Sequence, residues 1–147
     1  MYIDFHIHAY ADEIADRAVQ KLKDTANCNV YTNGRIDDTR QKLKEWGIDY
    51  GVLLPVATKP TQQTTINNWA IAQNHGNIIS FGTVHPDSDE LDSELESISP
   101  WGFTVLNYIR IIRAILCLSR VCREYMKNAV NWGFRLFFTW DMTLYHL

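Results

Sequence analysis

Cysteine is scarce in this chain, basic charge is thin over its first two thirds, and no long apolar run occurs. The three cysteines, Cys28, Cys117 and Cys122, are an odd number without metal-ligand spacing. That excludes a disulfide framework and suits reduced thiols in a cytoplasmic protein. A membrane span needs about 18 consecutive uncharged apolar residues. The longest candidate, Phe103 to Leu118, is broken by Arg110 and Arg113. The first residues carry Asp4 in a strand-like segment rather than a basic stretch followed by an apolar one, so no signal peptide is expected. A net charge of −3 argues against nucleic acid or an anionic membrane as the main partner.

What is present is unevenly spread. At 147 residues and 46% hydrophobic, the chain is long enough for one globular domain with a core. Residues 1–100 hold 8 Lys and Arg against 15 Asp and Glu, a net −7, whereas residues 101–147 hold 6 against 2, a net +4. Three of the five tryptophans, Trp101, Trp132 and Trp140, fall in that last third. So abrupt a change of sign and aromatic content marks a boundary.

The chemistry is concentrated in Ile3-Asp4-Phe5-His6-Ile7-His8-Ala9-Tyr10. Tyr2, Ile3, Phe5 and Ile7 are strand formers, and strand side chains alternate faces. His6 and His8 therefore project to one side, with Asp4 in line beneath them. Two imidazoles on one face suit a divalent cation such as zinc. Taken alone, such a pair on an exposed strand more often ligates nothing. The apolar neighbours, which predict burial, and the helix that follows at once strengthen the metal reading, because sites gather at strand C-terminal ends in α/β folds. Asp4 has two readings: a hydrogen-bond partner of a ligating histidine, or an anchor of the strand through backbone amides.

The rest of the first hundred residues alternates helix and strand. Asp12 to Lys23 reads as an amphipathic helix with Ile14, Ala18, Leu22 and Val19 inward, and Asn27 to Gly34 as loop. Ile36 to Trp46 reads as a helix with Ile36, Leu43 and Trp46 buried, ended by Gly47. Tyr50 to Val56 is a nearly continuous apolar run, as in a strand covered on both faces. Thr58 and Lys59-Pro60 open a helix through Thr65 to Asn74, with Ile66, Trp69, Ala70 and Ile71 as its apolar side. Asn77 to Val84 is a third strand, ending at His85-Pro86-Asp87. His85 is read as a ligand, a substrate contact or a loop histidine before proline, the last preferred. Ser88 to Ile98 is a helix whose acids form a solvated face and suit the positive end of its dipole. This order predicts βαβ units and a parallel sheet.

The opening IDFHIHAY, then EWGIDYGVLLPV, then NNWAIAQNHGNIISFGTVHPD, resembles the amidohydrolase superfamily, specifically the group-2 amidohydrolases, over residues 1–103. The resemblance implies a TIM (β/α)8 barrel, of which this chain holds about three to four βα units. It also implies a divalent cation, zinc first with manganese or iron as alternatives, held by His6 and His8 and by His and Asp from later strands. A metal-activated water would attack a C–N or ester carbonyl of a small-molecule substrate. A decarboxylase of the same barrel is the alternative. A metallonuclease with an early HxH fits the acidic first hundred residues poorly.

Beyond Gly102-Phe103 the likeness stops, although a barrel takes about 200 residues or more. Reading the codons of Thr104 to Ile112 one base earlier permits H-G-I-K-L-H-P-D-Y, what a fourth barrel strand would carry. Shifted readings of Glu124 to Ala129 and Phe137 to Leu144 permit further family-like motifs, the last with a histidine. A nucleotide lost near the codons for Pro100 to Thr104 is therefore expected. It makes 1–103 a partial barrel and 104–147 a non-family tail, mostly helical or irregular, with Tyr108, Ile109 and Thr139 where later ligands belong. On this expectation the chain is catalytically inactive, and a non-enzymatic fragment is the contrasting reading. An open barrel also exposes an apolar sheet edge, through which a homo-oligomer would form.

Overall fold

The computed structural model describes residues 1–26, 29–85, 87–98, 105–107 and 135–137. Strands and helices alternate as β1 (Ile3–Ile7), α1 (Asp12–Ala26), α2 (Ile36–Glu45), β2 (Tyr50–Leu53), α3 (Gln63–Ala72), β3 (Ile78–Ser80), β4 (Gly82–Thr83), α4 (Leu91–Ile98), β5 (Val105–Asn107) and β6 (Arg135–Phe137). A 3-10 turn, Pro60–Gln62, leads into α3. Among the described residues the chain is mixed α/β with parallel pairing, in two three-stranded sheets ordered β1-β2-β3 and β4-β5-β6.

Two compact units result. Among the described residues the first comprises Met1–Leu53 with Gln73–Ile79. Its core is Ile7, Ala9, Ala15, Leu43, Val52, Leu53 and Ile78. α2 lies against β1 and β2 at Gly51, where a Cβ would stand 2.7 Å from both Ile7 Cδ1 and Leu43 Cδ1. The helix ends as its sequence predicts: Gly47 has φ +71°, its N–H donates to Lys44 O, and that of Ile48 donates to Leu43 O. Arg40 then fastens the loop before β3, its guanidinium donating to the carbonyls of Gln73 (2.9 Å) and His75 (2.7 Å).

The second unit comprises Leu54–Ala72 and the described residues from Ser80 onward. Leu54, Ala57, Ala70, Phe81, Val84, Leu95 and Ile98 are its buried apolar residues. A polar seam runs between α3, α4 and β4. Buried Asn67 donates to Thr83 O (2.8 Å) and accepts from Thr83 N–H (2.8 Å), so the side chain pairs with the strand as a neighbouring backbone would. Its amide also donates to Glu94 Oε1 (2.7 Å), and Thr64 donates to the other Glu94 oxygen.

Several expectations shift. Phe5 is 53% exposed rather than buried, because β1 does not keep its alternation: its register against β2 slips between Asp4 and Ile7. Trp46 is 51% exposed, since α2 ends at Glu45 and Trp46 follows as its C-cap. α1 is turned by about one residue, burying Ala15 completely and leaving Ile14 at the surface. Small Ala15 lets the Gly34 loop approach the helix, where a Cβ on Gly34 would run into Val19. The run expected as one strand over Asn77 to Val84 is split between the two sheets. Glu94 is buried rather than solvated, because it shares the inward face with Leu91 and Leu95 and finds two donors there. Val105–Asn107 is a strand paired with β4, not helix. The expected boundary at residues 103 and 104, and most of the tail expected to be helical or irregular, lie outside the described residues.

Candidate metal centre at the end of the first strand

β1 runs parallel to β2, and His6 and His8 close its C-terminal end. Local hydrogen bonding shapes that end. The Asp4 carboxylate accepts the backbone N–H of His6 at 3.0 Å, drawing this amide away from the ladder just where the register slips. Asp4 thus serves the backbone, the second of its two readings. Four residues beyond His6, the N–H of Tyr10 donates to Gly34 O at 2.8 Å, and Tyr10 bridges in parallel to Arg35. Gly34, at φ +80°, turns the chain so that Arg35 reaches Asp16 with two N–H···O bonds of 2.8 Å. This fork holds the Asp16 carboxyl below the usual carboxylate range and raises the Arg35 guanidinium further.

The two imidazoles converge. Nε2 of His6 lies 3.0 Å from Nε2 of His8, with ring centroids 4.8 Å apart and planes at 79°. Facing lone pairs at that distance repel, so either a shared proton or a cation belongs between them. Two nitrogens bound to one tetrahedral zinc at about 2.0–2.1 Å stand about 3.3–3.4 Å apart. The pair therefore fits two adjacent positions around such an ion with an adjustment of a few tenths of an ångström. His6 is exposed and His8 half-buried. Among the described residues no group of three His, Cys, Asp or Glu side chains could hold a metal, so the pair supplies two ligands and no third.

His85 belongs to the other unit and serves a turn. Its Nδ1 accepts the N–H of Asp87 (3.2 Å), its carbonyl accepts that of Ser88, and its own N–H donates to Gln63 Oε1 (3.0 Å). Its Nδ1 is thereby engaged within the turn. Tyr108, Ile109 and Thr139, expected where later ligands belong, lie outside the described residues.

Gln63, Asn67, Arg35 and Arg40 also organise this part of the structure: Gln63 holds the His85 segment, Asn67 pairs with β4, Arg35 fastens the turn after Gly34 to α1, and Arg40 fastens the loop before β3. Their one signal was an amide repeated at i and i+4, Gln63 and Asn67, on a helix whose apolar side was sought elsewhere. No family model matches the chain, and neither a curated protein nor a solved structure matches it.

Proposed function

We propose that this chain carries the opening of a metal-dependent hydrolase barrel of the amidohydrolase type, with His6 and His8 as two ligands of a divalent cation, zinc first. The observation that supports this reading is the 3.0 Å approach of the two Nε2 atoms at the C-terminal end of a parallel strand. A cation bound there supplies Lewis acidity toward a carbonyl and makes a water more acidic. The chain's own residues set the ligands: the bond from the His6 amide to Asp4 holds the strand end that orients both rings. A small-molecule substrate in a cytoplasmic setting belongs to the same reading, as does the shifted reading frame after residue 103. A decarboxylase on the same site is the alternative chemistry.

Metal content tests the reading. After dialysis against metal-free buffer, the purified chain is expected to retain zinc or manganese near stoichiometry, by inductively coupled plasma mass spectrometry. His6→Ala and His8→Ala should each lower retention at least tenfold. Wild-type chain that retains no metal would remove this reading. A second reading, a non-enzymatic α/β module, is favoured by one observation, the lack of a third ligand among the described residues.

A further inference from the structure

We infer that Asn33-Gly34 is a self-modification site, at which the backbone nitrogen of Gly34 attacks the Asn33 side-chain amide and the Thr32 hydroxyl sets the rate. This inference stands apart from the metal reading.

The chain has ten asparagines, and Asn33 is the one followed by glycine. Glycine has no Cβ to shield its own nitrogen, and its backbone reaches conformations closed to other residues. Asn33 is exposed, so water and base reach it. Three hydrogen bonds hold the pair. The N–H of Asn33 donates to Asp38 Oδ2 at 2.8 Å, and Asn33 Oδ1 accepts the N–H of Arg35 at 2.9 Å, closing a turn. The N–H of Gly34 donates to Thr32 Oγ1 at 3.2 Å, the longest of the three. That bond bears on the nucleophile itself. While it lasts, the N–H direction, along which the nitrogen's electron pair emerges on loss of the proton, is aimed at the hydroxyl and not at Asn33 Cγ.

Once it opens, the chemistry is closed within the chain apart from water. The Gly34 nitrogen gives up its proton and bonds Asn33 Cγ; the bond from Cγ to the side-chain nitrogen breaks, and ammonia leaves with that proton. Water then opens the five-membered imide at one of its two carbonyls. Opening at Cγ gives aspartate, and opening at the main-chain carbonyl gives isoaspartate, which lengthens the backbone by one carbon just before Gly34. There is no room for that. Gly34 has φ +80°, a Cβ on it would run into Val19, and its carbonyl accepts the N–H of Tyr10 at 2.8 Å. Isoaspartate therefore breaks the contact that holds the segment after β1, whereas ordinary aspartate keeps an acceptor for the Arg35 amide.

The experiment incubates the full folded chain in mildly alkaline buffer and follows each asparagine by peptide mass spectrometry, with electron-transfer fragmentation to separate isoaspartate from aspartate. Asn33 is expected to convert first. Thr32→Val and Thr32→Ala should convert about two- to tenfold faster, the worth of one hydrogen bond, and Thr32→Ser at the wild-type rate. The purified isoaspartate form should unfold at lower urea than wild type, and Asn33→Asp at the wild-type midpoint. An unchanged rate in Thr32→Val would overturn the role of the hydroxyl. Earlier conversion of another asparagine, or an Asn33 intact in the folded chain after the urea-unfolded chain has converted, would overturn the site. Equal midpoints for all three forms would overturn the break at Gly34. Should the Thr32 variants fail to fold, the order of conversion in wild type decides alone.

Discussion

At the scale of single residues, the local geometry turns on a few side chains whose neighbours leave no room for another type. Gly34 combines φ +80° with a position where a Cβ would strike Val19. Gly47 combines φ +71° with open space. Alanine at Gly47 should therefore cost only the left-handed conformation, about 1 kcal/mol. At Gly34 it should cost about 2–4 kcal/mol, since overpacking adds to the same backbone term. Urea midpoints of the two variants check the difference, and equal losses would show that the Val19 contact yields freely. Charge acts at this scale too. The Asp16 carboxyl is held low by Arg35, first through their hydrogen bonds and then through their charges. A carboxyl depressed in the folded state contributes stability that is present above its unfolded pKa and lost as pH falls through the folded one. Stability should thus decline on acidification below the usual carboxylate range. Asp16→Asn should flatten part of that decline, visible in urea melts at neutral and acid pH. The fork is solvent-exposed, so the effect is small and shrinks with added salt.

At the scale of elements, polar side chains join what apolar periodicity alone would leave loosely docked. α3 meets β4 through Asn67, which pairs with both the N–H and the carbonyl of Thr83 and donates to Glu94. Asn67→Ala would leave a buried amide, a buried carbonyl and a carboxylate short of partners, a loss of about 2–4 kcal/mol. Asn67→Leu should do no better, because the missing groups are polar; a chemical-denaturation series measures both. α2 meets β1 and β2 differently, through the absence of a side chain at Gly51. Alanine there pushes on the ends of Ile7 and Leu43, a cost of about 1–3 kcal/mol. It would also displace the strand that carries His6, so the same variant is expected to bind zinc more weakly than wild type in a titration. The C-terminal end of α2 was legible in advance because Gly47 is a local signal. The inward face of α1 was not. Ile14 and Ala15 are adjacent, and what decides between them is the close approach of the Gly34 loop, a contact between segments far apart in sequence.

At the scale of the whole molecule, net charge reverses from −7 over residues 1–100 to +4 over residues 101–147, and a shifted reading frame is the proposal that accounts for it. Sequencing the DNA through codon 100 and beyond is expected to show barrel-like coding in the neighbouring phase. Intact coding in a single phase would retire the frameshift. The alternation of strand and helix could be read directly, because apolar runs of strand length and stripes of helical spacing follow from local chemistry. So could the parallel pairing, which the intervening helices require. That His6 and His8 share one side of β1 also followed from strand alternation, and their rings do lie together. Tertiary structure decided the rest. It split the run from Asn77 to Val84 between two sheets and set Phe5 and Trp46 in solvent. It gave Glu94 a buried pair of donors and His85 a turn to close. Hydrophobic pattern reports only that a face is to be covered. Which residue meets which, and whether a polar group finds a partner once water is gone, depends on distances between segments that the linear order does not contain.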